Sequence, residues 1–176
     1  VYLPDNAGNG AAWNISGNSF YCTSNLSSYQ GAVPQHIAIY LKSSVSHTDT
    51  IKHNYIGGSA ANASGTWTNS NNSVDFEGIR LEIGGTGSQI TLVDSNTIKN
   101  INLSGTGLTM FIGIRVKTGL VNIGGNTIGD TTATMASPSI LVAGSGTPNY
   151  TNDNVIVFGI WNYSTSASEI NNNVIA

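Results

Sequence analysis

Ile123-Gly124-Gly125-Asn126-Thr127-Ile128 places an asparagine three residues after one apolar residue and two before another, and the arrangement occurs five times in the chain. The other copies are Ile15-Ser16-Gly17-Asn18-Ser19-Phe20, Ile51-Lys52-His53-Asn54-Tyr55-Ile56, Val93-Asp94-Ser95-Asn96-Thr97-Ile98 and Ile170-Asn171-Asn172-Asn173-Val174-Ile175. Successive motif asparagines lie 36, 42, 30 and 47 residues apart. The motif therefore recurs once per unit while the rest of each unit changes length, which is the signature of an internal repeat.

A second motif alternates with the first. It reads His36-Ile37-Ala38-Ile39-Tyr40-Leu41, Gly78-Ile79-Arg80-Leu81-Glu82-Ile83, Gly113-Ile114-Arg115-Val116-Lys117 and Gly159-Ile160-Trp161-Asn162-Tyr163. Counted from Ile39, Ile79, Ile114 and Ile160, each stands 12 to 17 residues before the next motif Asn. Alternation of apolar and polar residues over five positions makes one half-buried strand, which cannot bury its own inner face. Stacking such units in parallel buries those faces against each other, so the pattern predicts an all-β solenoid, a right-handed parallel β-helix of about four to five coils. In such a stack like residues lie roughly 4.8 Å apart, the spacing an amide ladder needs, so Asn18, Asn54, Asn96, Asn126 and Asn173 are expected to form a structural Asn ladder at one corner.

Composition sets the outer limits. The 176 residues are 39% hydrophobic, enough for one domain with an elongated core, and the whole chain, 1–176, reads as a single β-helix segment cut from something longer. Only 9% of residues are charged, so the surface is coated by neutral polar groups, and the net charge of −3 gives no basic patch for nucleic acid. No stretch approaches the roughly 18 apolar residues of a transmembrane helix, so membrane insertion is not expected. Cys22 is alone and reads as a buried thiol.

Along the chain, strands are expected at Trp13 to Tyr21, Ile37 to Leu41, Val74 to Ile83, Gln89 to Val93 and Leu108 to Lys117. Residues 57–73 and 131–148 read as insertions that protrude from the coil and carry whatever contacts are specific to the protein. The 30-residue unit ending at Asn126 is close to a bare coil of a three-sided β-helix.

Gly125-Asn126-Thr127-Ile128-Gly129-Asp130, Phe158-Gly159-Ile160-Trp161-Asn162 and Glu169-Ile170-Asn171-Asn172-Asn173-Val174-Ile175 resemble the right-handed parallel β-helix repeats of large secreted proteins of Bacteroidota. Many of those proteins are exported by the type IX secretion system, and their fold is of the pectin-lyase-like kind. The resemblance covers residues 90–176 well and 13–89 loosely. It implies a secreted or cell-surface location and an adhesive or scaffold role.

The sharpest chemical lead is one strand face. If Ile79, Leu81 and Ile83 point inward, Arg80 and Glu82 point outward together, and the equivalent outward pairs are Tyr40 with Lys42, Arg115 with Lys117, and Trp161 with Tyr163. Tyr40, Arg80, Arg115, Trp161 and Tyr163 side by side suit the apolar faces and hydroxyls of sugar rings, a possible glycan-contact face. The plainer reading is that Glu82 between Lys42 and Lys117 balances charge across the ladder, each exposed pair contributing about 0–1 kcal/mol. Catalysis by a carbohydrate-cleaving enzyme would need two or three carboxylates gathered on one face, and this face offers no second one on a neighbouring rung.

His47 and His53 flank Asp49 across a turn but do not make a metal-binding pattern, and Asn152-Asp153-Asn154 reads as a turn rather than a Ca²⁺ loop. No catalytic residue, metal or cofactor is expected. The expected role is a rigid, non-catalytic rod, structural or adhesive, displaying loops; the alternative is a carbohydrate-binding or carbohydrate-cleaving β-helix. The expected partners are glycans or other surface proteins, and an uncovered end could stack on a neighbouring domain or another copy.

Overall fold

A computed structural model describes residues 2–3, 12–25, 35–45, 47–71, 73–84, 88–105, 107–134, 138–143 and 155–176. In chain order the strands are β1 (Tyr2–Leu3), β2 (Asn14–Ser16), β3 (Ser19–Phe20), β4 (Gln35–Ser43), β5 (Thr50–Lys52), β6 (Tyr55–Ile56), β7 (Trp67–Asn69), β8 (Val74–Ile83) and β9 (Thr91–Asp94). They continue with β10 (Thr97–Ile98), β11 (Ile101–Ser104), β12 (Thr109–Thr118), β13 (Val121–Gly124), β14 (Thr127–Ile128), β15 (Ile140–Ala143), β16 (Val155–Asn162), β17 (Glu169–Asn171) and β18 (Val174–Ile175). One short 3₁₀ turn, Ala61–Ala63, is the sole helical element among the described residues.

The strands fall into four sheets. Sheet A has the order β1-β4-β8-β12-β16, sheet B β2-β5-β9-β13-β17, sheet C β3-β6-β10-β14-β18 and sheet D β7-β11-β15. Every pairing between these strands is parallel, for example β4 with β8, β9 with β13, β10 with β14 and β11 with β15. From β4 onward the chain thus visits A, B, C and D in a fixed order and returns to A one strand further along. The molecule is all-β, with parallel strands in stacked sheets, an arrangement consistent with a β-solenoid.

Both sequence motifs fall in register. Ile39, Ile79, Ile114 and Ile160 are successive partners in sheet A. Ile15, Ile51, Val93, Ile123 and Ile170 align in sheet B, and Phe20, Ile56, Ile98, Ile128 and Ile175 in sheet C. These columns fill the interior, where Ile39, Ile51, Ile56, Ile79, Val93, Ile98, Ile114 and Ile123 are fully buried. At roughly 25 cal/mol per Å² of apolar surface removed from water, such columns are the main stabilising contribution. Phe76 and Phe111 add a parallel stack with centroids 5.8 Å apart, and Trp67 meets Phe76 edge-on at 5.1 Å.

Two local devices make the turns. The residue before each motif Asn has positive φ: Gly17 at 67°, His53 at 54°, Ser95 at 53°, Gly125 at 62° and Asn172 at 53°. One left-handed residue swings the chain from sheet B into sheet C without a longer loop. The second device is the small residue opening the sheet A motif. A Cβ on Gly113 would stand 2.5 Å from the Gly159 carbonyl oxygen and 2.8 Å from Ile128 Cδ1, and Gly78 and Gly159 are equally crowded by Ile98 and Ile175. The Ile of the Asn motif therefore packs straight onto the sheet A backbone.

Several expectations need correction. The strand expected from Trp13 to Tyr21 is two strands, β2 and β3, because Gly17 bends the chain between them. Residues 57–73 are not all protruding loop, since Trp67–Asn69 is β7 of sheet D and Trp67 packs on the core. Likewise Ile140–Ala143 within 131–148 is β15, paired with β11, while 135–137 and 144–148 lie outside the described residues. The 30-residue unit from Asn96 to Asn126 holds four strands, β10 to β13, not three sides. β4 extends beyond Ile37 to Leu41 at both ends, β9 starts two residues after Gln89, and β12 runs Thr109–Thr118, whereas β8 has the expected bounds. Cys22 is half-buried, with Sγ 3.2 Å from the Ser24 carbonyl oxygen, rather than buried.

Candidate functional site

The outer surface of sheet A gathers the residues that alternation assigned to it. Ile79, Leu81 and Ile83 are buried while Arg80 and Glu82 are partly exposed, as the period of two requires. Register then stacks Tyr2, Tyr40, Arg80, Arg115 and Trp161 on consecutive strands β1, β4, β8, β12 and β16. The Tyr2 and Tyr40 rings lie 5.0 Å apart, and the Arg80 guanidinium sits 5.0 Å from the Tyr40 ring. The Arg115 guanidinium is 4.6 Å from the Trp161 ring and 5.6 Å from that of Tyr163. Trp161 is flanked by Phe158 of its own strand at 4.8 Å and by Tyr163, just past the strand's end, at 5.3 Å. Tyr40, Arg80, Arg115, Trp161 and Tyr163 therefore lie along one face, with two adjacent cations flanked by rings on either side.

Two carboxylates lock this ladder. Arg80 donates from Nε and Nη2 to Glu82 Oε1 at 3.0 and 2.9 Å and from Nη1 to Gln35 Oε1 at 3.1 Å. Lys117 Nζ donates to the same Glu82 oxygen at 2.6 Å. Arg115 Nη1 donates to Glu77 Oε1 at 2.7 Å, and Glu77 Oε2 lies 3.8 Å from Arg80 Nε. Glu77 is fully buried under the two guanidiniums. Lys42 is in register with Glu82, but the pairing with Lys117 supplies the ion pair.

The protonation equilibria reflect the same contacts. Burial pushes the Glu82 carboxyl up, but hydrogen bonds from Lys117 and Tyr40 and the charges of Arg80 and Lys117 outweigh it and hold the pKa at about 2. Burial, together with its hydrogen bond to Glu82, pushes the Tyr40 hydroxyl up to about 12. Burial and the neighbouring Glu77 charge raise Asp75 above the usual carboxylate range. For Arg115 burial works toward a lower value, and the bonds to Glu77 and Tyr163 reverse it. The face is thus largely neutralised from within, and the plainer sequence reading, charge balance across the ladder, describes Glu82 well.

Sequence reasoning missed Glu77, Tyr2 and Phe158. Glu77 belongs to this face because alternation breaks at Gly78: Phe76 and Ile79 are both buried, three apart, and position 78 has no register partner. That three-residue spacing between two apolar residues was the available signal. Phe158 follows from the same break, since it is the register equivalent of Glu77 through Ile112.

The second constellation is the Asn corner. Asn18 donates from its backbone N–H and Nδ2 to Asn54 Oδ1, both at 3.1 Å. Asn54 does the same to Asn96 at 3.0 and 2.9 Å, Asn96 to Asn126 at 2.9 Å for both, and Asn126 to Asn173 at 3.0 and 2.9 Å. Each later Nδ2 also reaches back to the carbonyl of the apolar residue in the preceding motif: Ile15, Ile51, Val93 and Ile123, all at 2.9 Å. Asn54, Asn96 and Asn126 are buried, so each amide satisfies at least four groups where water cannot. The network runs through four consecutive steps from Asn18 to Asn173.

The remaining candidates separate. Asp49 is fully buried and accepts the Trp13 N–H at 2.8 Å, so it does not lie on the surface between His47 and His53. Burial lowers the pKa of His36, whose ring faces Trp67 at 6.2 Å inside the fold. Among the described residues no group of three His, Cys, Asp or Glu could hold a metal ion, and Asn152-Asp153-Asn154 lies outside them. A cleft of about 340 Å³ opens at the β16 to β18 end, lined by Phe111, Ile128, Ile140, Val157, Gly159 and Ile175, away from the ladder. No protein-family model matches this chain, and neither any curated protein nor any solved structure does.

Proposed function

We propose that the chain is a right-handed parallel β-helix segment of four to five coils whose work is structural or adhesive, a non-catalytic block of a secreted or cell-surface rod. The observation that carries this reading is the Asn ladder, four consecutive steps in which backbone and side chain are both satisfied. A coat with 9% charged residues and a sheet A face whose guanidiniums already hold carboxylates fit a surface built for stacking. The turns around Ala61–Ala63 and Asp130–Thr132 leave the sheets and are where contacts with other surface proteins would form.

Limited proteolysis of the folded chain tests the proposal. A structural block is cut in the connections between sheets, and cuts within β4 to β14 under native conditions overturn the reading. A second reading, glycan contact, rests on the rings of Phe158 and Tyr163, 38% and 42% exposed on either side of Trp161. Affinity electrophoresis through neutral polysaccharides separates the two. Retardation abolished by Trp161→Ala would give the face a binding role, and unaltered mobility for both proteins would remove it.

A further inference from the structure

Asp75 and Glu77 stand two residues apart on β8, beside the core residues Val74 and Phe76, so both side chains leave on the outer face of sheet A. Neither carboxylate is fully satisfied. Asp75 Oδ1 and Glu77 Oε2 are buried and have no hydrogen-bond partner among the described residues, and the same holds for Arg115 Nε on the adjacent strand β12. Arg115 Nη1 donates to Glu77 Oε1 at 2.7 Å, while Glu77 Oε2 lies 3.8 Å from Arg80 Nε, whose own bond goes to Glu82. Two acceptors and one donor are therefore left over in the middle of sheet A, around a Glu77 side chain with no exposed surface. Buried polar atoms are seldom left in that condition. Burial, and after it the Glu77 charge, raises the pKa of Asp75, and Arg115 works the other way, so Asp75 is coupled to both neighbours.

We propose that Asp75 and Glu77 share one proton, with Arg115 Nε as the third member of the group, and that uptake of this proton from solvent switches the sheet A face between two charge states. One water molecule serves both states. It accepts from Arg115 Nε throughout; with both carboxylates ionised it donates to Asp75 Oδ1 and Glu77 Oε2, and with Asp75 protonated it accepts from Asp75 and donates to Glu77. Three bonds are what a buried water makes. The charged groups around the pair are Arg80 and Glu82 from β8, Arg115 and Lys117 from β12 and Lys42 from β4, while the register partners of Asp75, Gln35 and Met110, are uncharged. From β16 come Phe158 and Trp161, which carry no charge, and His36, in register with Phe76, lies on the inner face. With Asp75 ionised, its charge and those of Glu77 and Glu82 oppose Arg80, Arg115 and Lys117 one for one. Protonating Asp75 leaves one cation unopposed beside Lys42. Because Asp75 titrates above its ordinary 3.8 in the folded chain, the stability that goes with its neutral form is fully present below 3.8 and is lost as pH rises through the folded value. The inference stands on sheet A alone and depends on neither the rod nor the glycan reading.

Carbon-13 NMR titration of the side-chain carboxyl groups tests it. The Asp75 step is expected above pH 3.8, with the Glu77 carboxyl carbon and the Arg115 Nε proton shifting in that same step. In Asp75→Asn, which keeps the shape of neutral Asp75, this step is expected to vanish from Glu77 and Arg115, and Asp75→Ser takes over the comparison should Asp75→Asn not fold. Urea unfolding supplies a second readout. The midpoint of Asp75→Asn is expected to exceed that of the unaltered chain at pH 7.5, and the difference to shrink toward zero at pH 4.5, where His36 and Glu82 titrate alike in both chains and cancel. An Asp75 step at or below 3.8 overturns the proposal, as does a Glu77 step at the same pH that persists without Asp75. So does a midpoint for Asp75→Asn below that of the unaltered chain at pH 7.5, which would mean that ionised Asp75 serves Arg115 alone.

Discussion

Replacing Asn96 by alanine isolates what the corner ladder contributes. The side chain makes four hydrogen bonds: Oδ1 accepts the N–H and Nδ2 of Asn54 at 3.0 and 2.9 Å, and Nδ2 donates to the Ile51 carbonyl and to Asn126 Oδ1, both at 2.9 Å. In Asn96→Ala the Asn54 N–H loses its acceptor and Asn54 Nδ2 keeps only its bond to Ile15. Ile51 loses a donor, while Asn126 Oδ1 retains the residue 96 backbone N–H. Each buried polar group left unsatisfied costs about 1–3 kcal/mol, so two stranded donors imply roughly 2–6 kcal/mol. A water molecule entering the vacated space satisfies one of them, which brings the expectation to about 1–3 kcal/mol.

Asn18→Ala is the internal reference. Its exposed side chain makes two bonds, to Ser16 O and Asn54 Oδ1, so the expected loss is about 0.5–1 kcal/mol. Urea unfolding followed by circular dichroism measures both, with the midpoint falling at unchanged slope. Amide exchange at Asn54 gives a second readout that needs no two-state assumption, and its protection is expected to collapse in Asn96→Ala alone. Equal losses for Asn96→Ala and Asn18→Ala, with Asn54 still protected, would refute the argument that the ladder satisfies buried backbone.

Three further outcomes follow from the same contacts. Because the folded pKa of Glu82 lies near 2, below its ordinary 4.5, its contribution is present above pH 4.5 and lost as pH falls toward 2. After allowance for solvent screening it is worth about 1–2 kcal/mol, so Glu82→Gln should lower stability at pH 7 and flatten the acid limb of a stability-against-pH curve. Gly113→Ala should lower stability by about 1–3 kcal/mol, and Ile128→Val should not restore it, since the 2.5 Å approach to the Gly159 carbonyl remains; full rescue in a thermal melt would show the clash lies with the side chain instead. His53→Gly relieves a left-handed residue at φ 54° and should raise stability by up to about 1 kcal/mol, whereas a decrease in urea midpoint would mean that the imidazole itself holds the corner.

The repeat was legible because stacking forces like residues onto like, and two motifs at variable spacing left one consistent register. The inward and outward assignment of Arg80, Glu82, Arg115 and Trp161 was legible for the same reason, as period two does not depend on strand ends. What escaped was anything that breaks the period. Gly17, His53 and Ser95 each turn the chain within a single residue, too short a break to interrupt the apolar pattern around it, so β2 and β3 read as one strand. Gly78 skips a register position, which hid Glu77. Sheet D was missed because β7 and β15 sit within Gly-, Asn- and Ser-rich surroundings whose composition reads as loop, while their burial comes from Trp67 and Ile140 packing on the core.

Stacking also decides what the sheet A face can bind. Register fixes Arg80 and Arg115 on adjacent strands, where two bare guanidiniums would repel; Glu77 sits between them, and Glu82 bridges Arg80 and Lys117. An acidic ligand seeking those guanidiniums must displace a carboxylate, and Glu77, with no exposed surface, could not be re-solvated without opening the face. Breaking such a pair leaves an uncompensated charge at a cost of about 3–5 kcal/mol, more than an exposed replacement contact returns. A neutral ligand faces no such competition, since the edges of Phe158 and Tyr163 are already open to water. If the face binds anything, affinity should therefore follow Trp161→Ala and Tyr163→Ala and be insensitive to added salt, and a steep salt dependence would place the contact on the cations after all.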